Sequence, residues 1–69
     1  MELVAMVGRR VADYRARQNI SQQSFAQKCE ISSRYLSRLE NGSANPSLRV
    51  LKNISAQMGI SLTDLLRFS

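Results

Sequence analysis

Histidine is absent from this chain, and cysteine occurs once, at Cys29. The first absence removes the commonest general base and metal ligand. The second rules out an internal disulfide and a cysteine zinc site. No glycine-rich loop is present to cradle a phosphate, and only five acids are spread over 69 residues. No catalytic constellation can be assembled from such a set, so an enzyme is the least favoured reading. Nothing in the chain calls for a cofactor, a metal or a small-molecule ligand. The longest apolar run, Leu3 to Val7, falls far short of the roughly 20 residues of a membrane-spanning helix. The opening MELVAM lacks the basic start and long apolar stretch of a signal peptide. These features predict a cytoplasmic protein. Cys29, four residues after Phe25, reads as a small inward hydrophobe rather than a reactive thiol.

What is present suits one small helical domain spanning 1–69. A chain this size buries only about 60% of its unfolded surface, so its core is small. The hydrophobic content of 43% still exceeds what a disordered tail carries. Ten Lys and Arg against five Asp and Glu leave a net charge of +5, which favours nucleic acid or an anionic surface as partner. A membrane surface fits the charge but not the pattern, since no helix pairs a continuous basic face with exposed bulky apolar residues.

Hydrophobic spacing predicts five short helices, with no strand, repeat or linker. Leu3, Val7, Val11 and Tyr14 form an inward stripe from Glu2 to Gln18. Gly8 costs this helix about 1 kcal/mol against alanine; it either admits a close helix contact or is simply tolerated. Asn19 suits a left-handed terminator, with Ile20 tucking in before Ser21. Ser21 caps a second helix whose Phe25 and Ala26 face inward, and Ser32 caps a third. Cys29, Glu30 and Ile31 lie between these two, and Gly42 stops the third. Ser43 to Pro46 forms the loop, with Pro46 at a first helical position or in the turn before it, and Asn45 or Ser47 as cap. The fourth helix runs to about Met58 and turns Leu48, Leu51, Ile54 and Met58 inward, with Arg49 and Lys52 elsewhere on its surface. Gly59 ends it, and Ser61 caps a last helix holding Leu62, Leu65 and Leu66, with Asp64 at an acid-friendly position.

Two short capped helices joined by a tight turn, Ser21 to Gly42, form a helix-turn-helix pattern. On the second of them, Ser32, Leu36, Leu39 and Glu40 share one side at about 100° per residue. Arg34, Ser37, Arg38 and Asn41 share the other, flanked by Ser33 and Tyr35. Most charged helix faces are simply solvated, but those usually interleave acids with bases. This face carries none, which favours a polyanion. Arginine can grip guanine with two N–H groups, and serine and asparagine can bond base edges or phosphates.

Two charges point the wrong way. Arg15 follows Val11 by four residues on the inward stripe of the first helix. Glu40 follows Leu36 by four on the inward stripe of the third, near a C-terminus whose dipole disfavours an anion. A charge facing a core is costly unless paired, so a structural Arg15–Glu40 ion pair is the economical solution, with Arg10 as substitute partner.

The run SQQSFAQKCEISSRYLSRLENGSANPSLRVLKNISAQMGISLTDLL resembles the phage-repressor and Cro type of helix-turn-helix domain, the XRE family. The matching pieces are Ser21-Gln22, Phe25-Ala26, Ile31-Ser32, Leu36-Ser37, Leu39 to Gly42, Asn45 to Leu48 and Met58 to Ser61. Val7-Gly8 and Arg15 extend the match to about 7–66. The resemblance implies an all-α, lambda-repressor-like bundle of five short helices with the motif in helices 2 and 3, and related domains commonly carry an ion pair at the Arg15 and Glu40 positions. Glu30 departs from the pattern: many relatives place glycine there, and a non-glycine residue with positive φ costs about 1 kcal/mol.

The implied function is a sequence-specific regulator of transcription in a prokaryote or phage that binds double-stranded DNA. Helix 2 would cross the phosphate backbone and the recognition helix, 32–41, would enter the major groove. Expected base contacts come from Ser32, Ser33, Arg34, Ser37 and Arg38. Expected phosphate contacts come from Gln22, which could instead brace a recognition side chain, and from Lys28, Tyr35, Ser43, Asn45 and Arg49, with backbone N–H groups at Asn41 and Gly42. Specificity calls for a homodimer on a pseudo-palindromic operator, for which Leu66 and Phe68 are the expected contacts unless both complete the monomer core. A Cro-like repressor and a restriction-modification controller protein fit equally. An activator would also need a patch for RNA polymerase, and no stretch announces one. The alternative is a protein-interaction module, such as an antitoxin or partner-regulated adaptor, on the same fold.

Overall fold

A computed structural model describes residues 2–67 as five helices. They are α1 (Glu2–Arg17), α2 (Gln22–Lys28), α3 (Ser33–Glu40), α4 (Leu48–Met58) and α5 (Leu62–Leu66). No helix among them is long and apolar enough to cross a membrane.

The helix starts share one device. Ser21, Ser32, Ser47 and Ser61 precede α2 to α5 in extended conformation, and each hydroxyl accepts the backbone N–H three residues on. This satisfies one of the orphan donors of each first turn. Ser47, rather than Asn45, caps α4, which leaves Pro46 in the preceding turn. The ends of α1 to α4 share another device. Asn19, Glu30, Gly42 and Gly59 adopt positive φ of 57°, 63°, 77° and 72°. At each, that residue and the next donate back to the last turn, as in Gly42 N to Leu39 O (3.0 Å) and Ser43 N to Arg38 O (2.9 Å). This is the paired 6→1 and 5→2 bonding that closes a helix on a left-handed residue.

The core gathers Val7 and Val11 from α1, Phe25 and Ala26 from α2, Leu36 and Leu39 from α3, Val50 and Ile54 from α4, and Leu65 from α5. Cys29 is fully buried among them, and burial pushes its thiol up to about 11, which keeps it protonated and unreactive. Two expected inward residues lie outside. Leu48 is 61% exposed because it sits about 120° around α4 from Ile54, so Val50 takes the inward place. Leu3 is 43% exposed, lining the open end of a groove with Val4, Val7, Pro46, Leu51 and Leu66.

Helix α1 packs on α3 and α5, α2 on α3, and α4 on α5. Gly8 is where α1 meets α3: a Cβ built there would collide with the Leu39 carbonyl oxygen. The glycine therefore admits a close helix contact. Polar ties finish the assembly. Arg10 Nη1 donates to the carbonyls of Asp64 (3.2 Å) and Leu65 (3.0 Å) at the end of α5, so it is not a partner of Glu40. Asn53 Nδ2 reaches Cys29 O at 3.3 Å, and Tyr14 Oη reaches Gln57 O at 3.4 Å.

Candidate nucleic-acid interface

Helices α2 and α3 are joined by the left-handed Glu30 and the extended Ser32, and α3 is held on the body by Leu36 and Leu39, both fully buried. Burying that pair turns the opposite side of α3 to solvent. Arg34 and Arg38 are exposed there and Ser37 is half-buried; Ser33 is exposed on one flank, Tyr35 on the other packs partly against the core, and Ser32 is exposed at the cap.

The one acid of α3 is removed from this face. Arg15 grips Glu40 with two bonds, Nε to Oε2 at 2.8 Å and Nη2 to Oε1 at 3.0 Å. The Glu40 side chain is only 7% exposed. Gln22 Nε2 donates a third bond to Oε1 at 3.0 Å, and Arg15 also donates Nη1 to Ile20 O, in the segment between α1 and α2, at 2.9 Å. Desolvation pushes the Glu40 carboxyl up, but the hydrogen bonds from Arg15 and Gln22 outweigh it and hold the group below the ordinary carboxylate range. The bond to Glu40 raises Arg15 further. At neutral pH the pair is therefore charged, mutually neutralised and turned inward. Gln22, read as a phosphate contact or a brace, has its amide nitrogen committed to Glu40.

The other expected phosphate contacts are distributed unevenly. Ser43, Asn45 and Arg49 are exposed along the segment from the end of α3 into α4. Lys28 is exposed at the end of α2 remote from Gln22. The backbone N–H groups of Asn41 and Gly42 are not available. Asn41 N donates to Ser37 O and Gly42 N to Leu39 O, because closing the helix consumes them. Gly42 is thus left with no donor, and Asn41 only with its side chain. Leu66 is half-buried against the core, and Phe68 lies outside the described residues. Gln23 and Gln27, not among the expected contacts, are exposed and line a cleft beside Ser33.

A capped helix pair with an acid-free basic outer face, on a five-helix bundle, defines a DNA-recognition type of helix-turn-helix domain. The helix-turn-helix family pattern matches residues 11–65, and the chain belongs to that family, in its XRE branch. Over 47 residues it is 45% identical to the control protein C.MunI of a Mycoplasma species, covering 68% of this chain and 64% of that protein. Over 61 residues it is 39% identical to the transcriptional regulator SlrR of Bacillus subtilis, covering 87% of this chain and 40% of SlrR. The chain therefore spans about two-fifths to two-thirds of the length of these relatives. The solved N-terminal DNA-binding domain of SinR from Bacillus subtilis superposes with a TM-score of 0.84 at 32% identity, covering 94% of this chain and 96% of that one.

Proposed function

We propose that this chain is a sequence-specific, double-stranded-DNA-binding regulator of transcription that acts as a homodimer on a pseudo-palindromic operator. The observation that carries the reading is the outer face of α3: Ser33, Arg34, Ser37 and Arg38 point away from the core, while Glu40 is buried and paired. A face of that composition complements base edges and phosphates. The likeness to a transcriptional regulator, a control protein and a DNA-binding domain supports it.

In this reading Ser32, Ser33, Arg34, Ser37 and Arg38 face the major groove. Ser43, Asn45 and Arg49 follow the phosphates beyond the end of α3, Tyr35 and Lys28 reach others, and Gln22 braces Glu40. The bundle extends 27 × 23 × 22 Å, somewhat less than the ~34 Å between half-sites one helical turn apart. Two copies placed so would lie side by side across the centre of the operator, separated by a gap that a contact between projecting side chains would have to bridge. Leu66 and the apolar groove around it are available for that contact. Among subtypes, the likeness to C.MunI favours a restriction-modification controller over a Cro-like repressor. The test is selection of bound sequences from a randomised duplex pool, followed by sedimentation with the enriched site. A pseudo-palindromic motif bound by two copies supports the reading. No enriched motif refutes the regulator, and one copy per duplex refutes the dimer.

A further inference from the structure

The two outward arginines of α3 do not have equivalent surroundings. Arg34 lies in the first turn, two residues after the Ser32 cap. It is exposed, and among the described residues its guanidinium makes no hydrogen bond. Arg38 lies on the same side but one turn later, about 6 Å along the axis. Its Nη2 donates to Ser43 O at 3.2 Å, while Ser43 Oγ and Ser43 N both donate to Arg38 O, at 3.2 and 2.9 Å. Arg38 and Ser43 thus clasp each other, and the guanidinium is drawn back over the segment that leaves α3.

We propose that the two arginines divide the work on DNA: Arg34 reads a guanine in each half-site, whereas Arg38, clasped to Ser43, grips a backbone phosphate. The proposal rests on the regulator reading above. Recognition helices of this kind present their N-terminal residues to base edges, which is where Arg34 stands with its two-pronged donor set uncommitted. The segment at Arg38 has a different need. Its backbone N–H groups at Asn41, Gly42 and Ser43 are consumed in closing α3. Its exposed polar side chains before α4, namely Asn41, Ser43, Asn45 and Ser47, are uncharged, and the next cation, Arg49, stands beyond them within α4. A phosphate passing there requires a cation, and Arg38 retains four of its five N–H donors for one. The carbonyls ending α3 favour a positive charge at that place even without DNA.

The test compares Arg34→Ala, Arg34→Lys, Arg38→Ala and Arg38→Lys with the parent. Each is titrated on the enriched duplex and on random duplex at several salt concentrations, with circular dichroism melts to confirm folding. Arg38→Ala should weaken binding to both duplexes by a common factor. It should leave their ratio within about twofold and lower the slope of log affinity against log salt by about two, one for each copy on the duplex. Arg38→Lys should restore most of that loss, because a phosphate accepts a point charge. Arg34→Ala and Arg34→Lys should each cut the ratio by about tenfold or more, because lysine cannot reproduce the paired bonds to guanine. In either Arg34 variant, replacing one guanine of the half-site should then make no further difference. If Arg38→Ala reduces the ratio as Arg34→Ala does, or Arg34→Ala leaves it unchanged, the division is overturned while the regulator reading stands. If the parent enriches no duplex at all, the regulator reading falls and the division with it.

Discussion

Replacing Glu40 by glutamine would leave Arg15 without its counter-charge while keeping the shape of the side chain. With Glu40 7% and Arg15 21% exposed, the loss should be about 2–3 kcal/mol, somewhat under that of a fully buried pair. In a domain this small that lowers the melting temperature by about 10–20 °C. The same residue shapes the response to acid. Because the folded Glu40 carboxyl titrates below its unfolded value, its contribution is complete above the ordinary glutamate range near pH 4.3 and is lost as pH falls through the lower folded value. Melting followed from pH 6 to pH 2 should therefore drop more steeply for the parent than for Glu40→Gln. Parallel curves would mean that Glu40 gains nothing from Arg15. Glu30 offers the opposite sign. At φ 63° it strains the turn between α2 and α3, so Glu30→Gly should raise stability by about 0.5–1 kcal/mol, a shift of a few degrees in a thermal melt. Both residues could be read from the sequence, Glu40 because an inward charge demands a partner and Glu30 because the family resemblance implies glycine at its place. The commitment of Gln22 to Glu40 could not be chosen, since nothing in the spacing ranks a carboxylate above a phosphate as its acceptor.

At the scale of the elements, the contact between α1 and the end of α3 sets how the recognition face is held. Gly8 meets the Leu39 carbonyl, and Gly42 lies against Ala5. Gly8→Ala should cost about 2 kcal/mol or more, because the added methyl meets backbone that cannot yield without moving a helix. Gly59→Ala has open space around its Cβ and should cost only about 1 kcal/mol, through its φ of 72°. A pair of melts separates them, and an equal loss would contradict the close α1–α3 contact. The limits of periodicity show on α4. Leu48 fits the stripe by type, yet it stands at the first helical position with its side chain over the rim, while Val50 faces in. Leu48→Gln should change stability by less than about 0.5 kcal/mol, whereas Ile54→Ala should cost about 3 kcal/mol. The helix starts were legible because serine caps leave a local signature. The stop of α3 at Gly42 was legible too, and the same left-handed close consumes the N–H groups of Asn41 and Gly42, against the expectation that they contact phosphate.

At the scale of the whole molecule, the charge of +5 sits on a body 27 Å long, and this sets what one copy can do. It attracts any duplex through its phosphates, with an affinity that falls steeply as salt rises. In the proposed reading, discrimination comes from the single helix that reaches base edges, doubled by a second copy. The account of α3 as a reading head is tested most directly by titrating the enriched duplex and a shuffled duplex of equal length, from low to physiological salt. The account predicts binding to the enriched duplex about 10³-fold tighter or more at physiological salt, with the advantage kept as salt rises. Equal affinities that fall together with salt would contradict it, reducing the basic face to a non-specific attraction for phosphate.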